Sequence, residues 1–261
     1  MIRIAAILNV TPDSFFDGGR SLARDAAIQR GLALRAEGAD WVDVGGESTR
    51  PGAAPVSVEE ELQRVLPVVR GLVAAGCPVS VDTSKASVAE AALEAGAEVI
   101  NDVAALGDPR MATVAARYGA GLVLMHMRGT PATMQQNTRY SDVVSEVRQH
   151  LAERIDRARG AGVSRIWADP GLGFGKGTPE NLALLRRLGE LRSLGVPLYV
   201  GASRKRFVGE LSGCPDPADR LFGSLGAAAA AVAGGAEVLR VHDVAATRQL
   251  LAVFTAAMGP S

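Results

Sequence analysis

The chain has very little cysteine. Cys77 and Cys214 are the only two among 261 residues, and no CxxC or CxxxC pair occurs. Thiolate zinc sites and dithiol redox centres depend on such pairs, so the sequence argues against both kinds of chemistry. Nothing in it requires an oxidising compartment.

An excess of charge of either sign is also missing. Lys and Arg together number 28, and so do Asp and Glu, which gives a formal net charge of zero. Proteins that attract nucleic acid or anionic membranes usually carry a clear basic excess. We therefore expect neither of them as a partner.

Long apolar runs are absent as well. The longest stretch of small apolar residues, Gly226–Gly235, is mostly alanine and too short to span a bilayer. The apolar start, Met1–Asn9, lacks the cleavage site of a signal peptide and is typical of a first strand. We expect a cytoplasmic protein that does not associate with membranes.

What the chain does have is a regular alternation of strand-like and helix-like segments. Eight short apolar runs are predicted as strands: Ile2–Leu8, Trp41–Val44, Val79–Val81, Glu98–Ile100, Leu122–Met125, Ile166–Ala168, Pro197–Val200 and Val238–Val241. Glycine, the usual residue after a helix C-terminus, precedes seven of them: Gly38, Gly76, Gly96, Gly119, Gly162, Gly195 and Gly235.

This alternation predicts the fold. Strands that alternate with helices form a parallel sheet with right-handed crossovers. Eight such units in about 250 residues favour a closed (β/α)8, or TIM, barrel of the α/β class, with an open doubly wound sheet as the alternative. No linker or change of composition divides residues 1–261, so we expect a single domain. Helices are expected to begin at Ser57, in a capping box with Glu60, and at Thr178, an N-cap followed by Pro179.

Most of the predicted strands end on a side chain that can bind a ligand or take part in chemistry. These side chains are Asn9, Asp82, Asn101, Asp102, His126, Asp169, Lys205, Arg240 and His242. In a (β/α)8 barrel the C-terminal ends of the strands form one face, and the active site lies there. Residues far apart in the sequence are therefore expected to meet.

These side chains fall into two chemical groups. Acceptors that suit a polar ring with an edge of N–H donors are Asn9, Asp82, Asn101 and Asp169. Cations that suit a phosphate or diphosphate are Arg50, Lys205, Arg240 and His242. A divalent metal ion could bridge such an anion to Asn9. The sequence therefore predicts an enzyme that acts on a polar ring and an anion.

Each residue also has a structural interpretation. An Asp that follows a strand often caps the next helix, as Asp82 or Asp169 alone would. Arg240 alone would form a rim salt bridge, and His126 alone would be a packing histidine. Surface positions are expected for His150, Lys85 and Lys176. The glycine-rich segment Gly171–Gly175 lacks the full GxGxxG spacing, which argues against NAD.

The segments that carry these residues resemble the motifs of dihydropteroate synthases, and the resemblance runs nearly the whole length of the chain. The segments are Asn9–Gly19, Gly45–Gly52, Ser80–Lys85, Ile100–Asp102, Asp169–Gly175, Gly201–Lys205 and Arg240–His242. The resemblance implies a transferase of folate synthesis that requires Mg²⁺. Such an enzyme joins 4-aminobenzoate to the methylene carbon of (7,8-dihydropterin-6-yl)methyl diphosphate and releases diphosphate and 7,8-dihydropteroate.

The resemblance also implies roles for individual residues. The pterin would be held by Asp82, Asn101, Asp169 and Lys205. Arg240 would stack on the pterin and, with His242, bind diphosphate, while Asn9 would help hold Mg²⁺. Asp17, Thr49 and Arg50 would come in on mobile loops, and the aminobenzoate pocket, where sulfonamides compete, would be shaped by Pro51, Phe174 and Ser203–Arg206. The catalytic set would be Asp17, Asp169, Lys205 and Arg240.

Some features of the resemblance leave alternatives open. Phe15 and Phe16, in the first loop, either pin that loop to the core or belong to a lid over the substrate. Arg206 stands where many relatives carry serine, so the aminobenzoate carboxylate is expected to bind backbone N–H groups. The family commonly forms homodimers through late helices. A pterin-dependent methyltransferase domain, which would need a corrinoid partner, and a binding-only barrel are the alternative functions.

Overall fold

Eight parallel strands close into a barrel in a computed structural model that describes residues 2–11, 19–49 and 52–258. The strands are β1 (Arg3–Asn9), β2 (Trp41–Gly45), β3 (Val79–Asp82), β4 (Val99–Asp102), β5 (Gly121–Met125), β6 (Arg165–Asp169), β7 (Leu198–Val200) and β8 (Ala236–Val241). Each pairs with its neighbour in the sequence, and β8 pairs with β1, which opposes Arg3 to Val238. The closed barrel is confirmed, and the open sheet is wrong.

Helices connect the strands. They are α1 (Gly19–Ala36), α2 (Val58–Ala74), α3 (Ala86–Glu94), α4 (Met111–Arg117), α5 (Val143–Gly160), α6 (Thr178–Arg186), α7 (Arg206–Ser212), α8 (Leu221–Ala233) and α9 (Val244–Met258). A 3₁₀ helix, Leu188–Leu194, follows α6, and a shorter one, Pro217–Asp219, precedes α8. None of the helices in the described ranges is long and apolar enough to cross a membrane.

Two of the predicted helix starts have different outcomes. Ser57 caps α2, because its Oγ accepts a hydrogen bond from the backbone N–H of Glu60 at 3.2 Å, as predicted. Thr178 is not the N-cap of α6: that position is Gly177, and Thr178 is the first helical residue. The Thr178 hydroxyl instead donates to Glu210 of α7, so a contact with another helix replaces the local cap.

The N-terminal half of the barrel interior is filled with apolar side chains. Seven buried residues form this cluster: Ala5, Trp41, Val99, Val123, Trp167, Tyr199 and Val238. The rings of Trp41 and Trp167 meet edge to face at 5.7 Å. Gly121 makes room for them, since a Cβ there would lie 2.5 Å from Trp167. Because this apolar cluster fills the N-terminal end of the barrel, a ligand site inside the barrel is restricted to the C-terminal end.

Candidate active site

Three of the strand-end side chains, Asn9, Asp82 and Asn101, lie around Gly45, the last residue of β2. In the barrel register Gly45 pairs with Asn9 on one side and with Asp82 on the other, and Asp82 pairs with Asn101. A Cβ at Gly45 would lie 3.6 Å from Oδ1 of Asn9 and 3.5 Å from Cβ of Asp82. Glycine thus leaves a gap with an oxygen-bearing side chain on each side.

Arg240 ties this acceptor group together from β8. Its Nη2 donates to Oδ2 of Asp82 at 2.6 Å, and its Nε donates to Oδ2 of Asp43 at 2.6 Å. The same Asp43 oxygen accepts from Nδ2 of Asn101 at 3.1 Å. The Arg240 side chain is 18% exposed and Asp43 is fully buried, so this is an interior ion pair and not a rim salt bridge.

Burial and charge act against each other on these groups. Burial raises the pKa of Asp82, the positive charge of Arg240 opposes that rise, and the negative charge of Asp43 adds to it. Burial also disfavours the charge of Arg240, but the two carboxylates outweigh it, and its pKa is raised. Removing the buried Arg240 cation from between its two carboxylates is costly, because their buried negative charges are left unpaired.

Asp169 ends β6 and organises the glycine-rich loop after it. Its Oδ1 accepts from the backbone N–H of Gly171 at 2.7 Å. Gly171 has φ 66°, and a Cβ there would lie 1.9 Å from the carbonyl oxygen of His126. Both the conformation and the space therefore require glycine. Burial raises the pKa of Asp169, and the charge of Lys205 opposes the rise.

Lys205 approaches the same loop from the residue before α7. Its Nζ donates to the carbonyl oxygen of Leu172 and lies 4.4 Å from the centre of the Phe174 ring. Burial lowers its pKa to about 8, against the pull of the Asp169 carboxylate. A cation, a carboxylate and an aromatic ring thus stand together on one side of the barrel mouth.

The prediction that Lys176 lies on the surface is wrong. Lys176 is 3% exposed, and its Nζ lies 2.9 Å from Nδ1 of His126. It also donates to the carbonyl oxygens of Gly171, Phe174 and His126 at 2.9, 3.0 and 3.2 Å. The loop folds back over its own lysine, so the carbonyl groups replace water. Burial accordingly lowers the pKa of Lys176 well below its usual value.

Two other surface predictions fail for the same kind of reason. His150 is only partly exposed, because its ring packs edge to face on His126 at 5.0 Å. Lys85 forms ion pairs with Glu47 and with the fully buried Glu61. These pairs attach the start of the loop after β2 to helix α2.

Of the remaining predicted residues, some have contacts at the site and others lie outside the described part of the chain. Ser203 Oγ lies 3.0 Å from Nδ1 of His242 and accepts from the backbone N–H of His242 at 3.2 Å. Thr49 follows β2 and is partly buried. The exposed side chain of Arg206 pairs with Glu210 of its own helix. Asp17, Arg50 and Pro51, together with Phe15 and Phe16, lie outside the described residues.

Sequence patterns missed two residues that hold the site together, Asp43 and Lys176. Asp43 lies in the middle of a strand predicted as apolar, and a carboxylate in such a strand is itself an unusual feature. Lys176 follows three alternating glycines, and the turns that they form direct carbonyl oxygens of the loop towards the Lys176 side chain. Each becomes a contact of the site only when the strands close.

The side chains around Gly45 suit Mg²⁺ only as an ion with few protein ligands. Within the described parts of the chain, no cluster of three or more His, Cys, Asp or Glu side chains is placed to hold a metal ion. Mg²⁺ usually keeps several waters and binds few protein oxygens together with substrate phosphates. The amide oxygen of Asn9, at the barrel mouth and across Gly45 from Asp82, suits a site of that kind.

Comparison with known proteins identifies the family. Residues 5–242 match the family of pterin binding enzymes. The dihydropteroate synthase of Synechocystis sp. is 45% identical over 257 residues, which cover 97% of this chain and 89% of the relative.

Two solved structures from Xanthomonas albilineans share the fold. Dihydropteroate synthase with 4-aminobenzoic acid has a TM-score of 0.93 and 49% sequence identity, covering 100% of this chain and 94% of that one. The enzyme in complex with 7,8-dihydropteroate has a TM-score of 0.90 and 47% identity, covering 100% and 95%. With this identity over nearly its whole length, the chain belongs to the dihydropteroate synthase family.

Proposed function

We propose that the chain is an alkyl transferase that condenses (7,8-dihydropterin-6-yl)methyl diphosphate with 4-aminobenzoate, forming 7,8-dihydropteroate and diphosphate. The observation that carries this proposal is the meeting of three acceptors, Asp82, Asn101 and Asp169, with two cations, Lys205 and Arg240, at one end of the barrel. The 4-aminobenzoic acid and 7,8-dihydropteroate bound by the relatives support the same substrate class.

The pterin ring would lie across the acceptors. Its edge of N–H donors matches the carboxylates of Asp82 and Asp169 and the amide of Asn101. Lys205, which stands beside Asp169, would donate to the ring carbonyl. These groups are buried, and a hydrogen bond made there discriminates strongly against ligands that lack the donor.

The diphosphate would face the cations. Arg240 and His242 are on the same strand end and would neutralise the charge that grows on the leaving oxygen. Asn9 would hold Mg²⁺ together with the substrate's own phosphates, and the bound ion would supply further neutralisation of the same charge. Arg50, on the loop after β2, is proposed to join this group.

In the reaction the C–O bond between the pterin methylene and diphosphate breaks, and the amine nitrogen of 4-aminobenzoate forms the new C–N bond. The electron pair of the broken bond leaves with diphosphate, and the amine nitrogen loses one proton. Asp169, together with Asp17, would stabilise positive charge on the methylene carbon. No covalent bond between substrate and protein is needed at any step.

The aminobenzoate pocket would lie between the two loops that follow β6 and β7. Phe174 supplies an aromatic wall beside Lys205, and Ser203 lies on the opposite loop against His242. Thr49 and Pro51 would close the pocket from the loop after β2. A sulfonamide, whose shape resembles that of 4-aminobenzoate, would compete there.

We propose a homodimer and a cytoplasmic location for a single pterin-binding domain that spans residues 1–261. Large apolar side chains are exposed on the late helices: Leu211 of α7, Phe222 of α8 and Val253 of α9. Exposed apolar surface of this kind favours an interface with another subunit. The balanced charge of the chain gives no reason to propose nucleic acid or a membrane as a partner.

The proposal is tested by measuring diphosphate release from the pterin diphosphate in the presence of Mg²⁺, with and without 4-aminobenzoate. Release coupled to 7,8-dihydropteroate formation, and inhibited by a sulfonamide, is the expected result. Pterin binding without release would indicate a binding-only barrel. Transfer of a methyl group that depends on a corrinoid protein would indicate the methyltransferase alternative.

A further inference from the structure

Asp43 lies one layer below the floor of the site. It stands two residues before Gly45 on β2, opposite Ile7 and Ser80 on the neighbouring strands. Side chains two residues apart on a strand point to the same face, so Asp43 points into the barrel as the Gly45 position does. It is 0% exposed. A ligand at the barrel mouth would therefore reach Asp82 and Asn101 before it reached Asp43.

A single oxygen of Asp43 orients two groups of the site. Oδ2 accepts from Nε of Arg240 at 2.6 Å and from Nδ2 of Asn101 at 3.1 Å. Because the Asn101 nitrogen is used for this bond, the amide oxygen is left as the acceptor for a substrate donor. The Asp43 carboxylate therefore sets both the direction of the Asn101 amide and the position of the Arg240 guanidinium.

Arg240 also occupies the carboxylate that the pterin needs. Its Nη2 donates to Oδ2 of Asp82 at 2.6 Å, while Asp82 is proposed to accept from the N–H edge of the pterin. Oδ1 of Asp82 can still accept a hydrogen bond, but the substrate and Arg240 would compete for the negative charge of the one carboxylate. The contact between Nε and Asp43 lies deeper and does not take part in that competition. Arg240 can release Asp82 and keep a paired charge.

We propose that Asp43 is a positioning residue, which retains Arg240 in the site and fixes the Asn101 amide while the pterin takes over Asp82. The inference rests on the proposed function. Without the Asp43 charge, Arg240 would pair with Asp82 alone, and the pterin would have to displace it at a greater cost. The hydrogen bonds of Asp43 go to Arg240 and Asn101, whereas the residues proposed for the 4-aminobenzoate pocket, Phe174 and Ser203, contact Lys205 and His242.

The test compares Asp43→Asn with Asp40→Asn in steady-state kinetics. Asp40 is a matched control, because it pairs with Arg248 at the opposite end of the barrel. In Asp43→Asn we expect KM for the pterin diphosphate to rise about tenfold or more, as for a lost charge-assisted hydrogen bond. KM for 4-aminobenzoate should stay within about twofold. In Asp40→Asn both constants should match those of the wild type.

The pH profile supplies a readout that a purely structural role would not move. The negative charge of Asp43 raises the pKa of Asp82, so its removal lets Asp82 ionise at lower pH. The acid limb of kcat/KM for the pterin diphosphate should shift to lower pH in Asp43→Asn and stay in place in Asp40→Asn. The other charged groups around Asp82, which are Arg240, Glu61, Asp102 and Lys205, are unchanged in both variants.

The outcomes separate this inference from the function on which it rests. A wild-type protein that makes no 7,8-dihydropteroate would overturn both. An active wild type with an unchanged pterin KM and acid limb in Asp43→Asn would overturn only the role of Asp43. If Asp43→Asn does not fold, Asp43→Ser, which removes the charge and is smaller, takes its place. If neither variant folds, Asp43 is a structural residue and the inference is wrong.

Discussion

Nζ of Lys176 lies 2.9 Å from Nδ1 of His126 and donates to three backbone carbonyl oxygens. This contact links the end of β5 to the loop after β6, which also carries Phe174 and the carbonyl group bound by Lys205. The buried Lys176 side chain therefore fixes the glycine-rich loop against the end of β5.

Replacement of Lys176 by methionine should loosen that loop. The side chain length is kept, but the carbonyl groups of His126 and Phe174 lose their donor, at about 1–3 kcal/mol for an unsatisfied buried group. The Gly171 carbonyl keeps the backbone N–H of Phe174 as a donor. We expect the free energy of unfolding to fall by about 3 kcal/mol and KM for 4-aminobenzoate to rise. Urea unfolding and kinetics measure the two effects. Arg117→Met removes an exposed cation paired with Glu90 and should cost less than about 1 kcal/mol. Equal losses in both variants would contradict the role of Lys176.

Gly171→Ala tests the tight approach of the loop to the strand end. The new Cβ would lie 1.9 Å from the carbonyl oxygen of His126, in a backbone conformation with φ 66°. Gly213→Ala is the matched control, since Gly213 has φ 69° and a Cβ there would meet no other described residue within 4 Å. The control should lose about 1 kcal/mol of stability through its backbone alone, and Gly171→Ala clearly more. A difference of less than about 0.5 kcal/mol in denaturant unfolding would be inconsistent with the close contact.

Arg240→Met should make stability depend on pH. Without the guanidinium, Asp43 and Asp82 are two buried carboxylates without a cation, which costs about 3–5 kcal/mol near neutral pH. The pKa of Asp82 is already raised by burial and would rise further, so the folded state would bind protons more tightly than the unfolded state. The variant should therefore be more stable at low pH and lose stability as the pH rises through the raised pKa. Arg248→Met, which breaks the pair with Asp40, should show no such trend.

Activity should decline in mildly alkaline solution. Burial lowers the pKa of Lys205 to about 8. Above that pH the side chain loses its proton and the positive charge that faces Asp169 and is proposed to bind the pterin, so kcat/KM for the pterin diphosphate should fall about tenfold per pH unit. Lys205→Arg keeps its charge throughout this range, so the activity that it retains should not fall there. An alkaline limb of the same position in both proteins would assign the titration to another group.

Much of the architecture could be predicted because its determinants are local. A glycine after each helix and a short apolar run after each glycine are features of a few neighbouring residues, and all seven glycines do adopt positive φ, between 60° and 107°. Seven repeats of that unit after the first strand give eight strands, and a closed barrel buries both faces of all of them. The grouping of Asn9, Asp82, Asn101 and Asp169 at one end also follows, because parallel strands place their ends together.

The contacts inside the barrel could not be predicted in this way, because they form only when distant strands come together in the closed barrel. Asp43 is an isolated carboxylate in the sequence, and its partners Arg240 and Asn101 are 197 and 58 residues away. Lys176 resembles a surface lysine until the strand end with His126 comes to lie against its loop. The sequence alone determined the order of the elements and the chemistry at the strand ends. Only the tertiary structure decided which charges are buried and paired, because the loss of water around a side chain depends on every segment that packs on it.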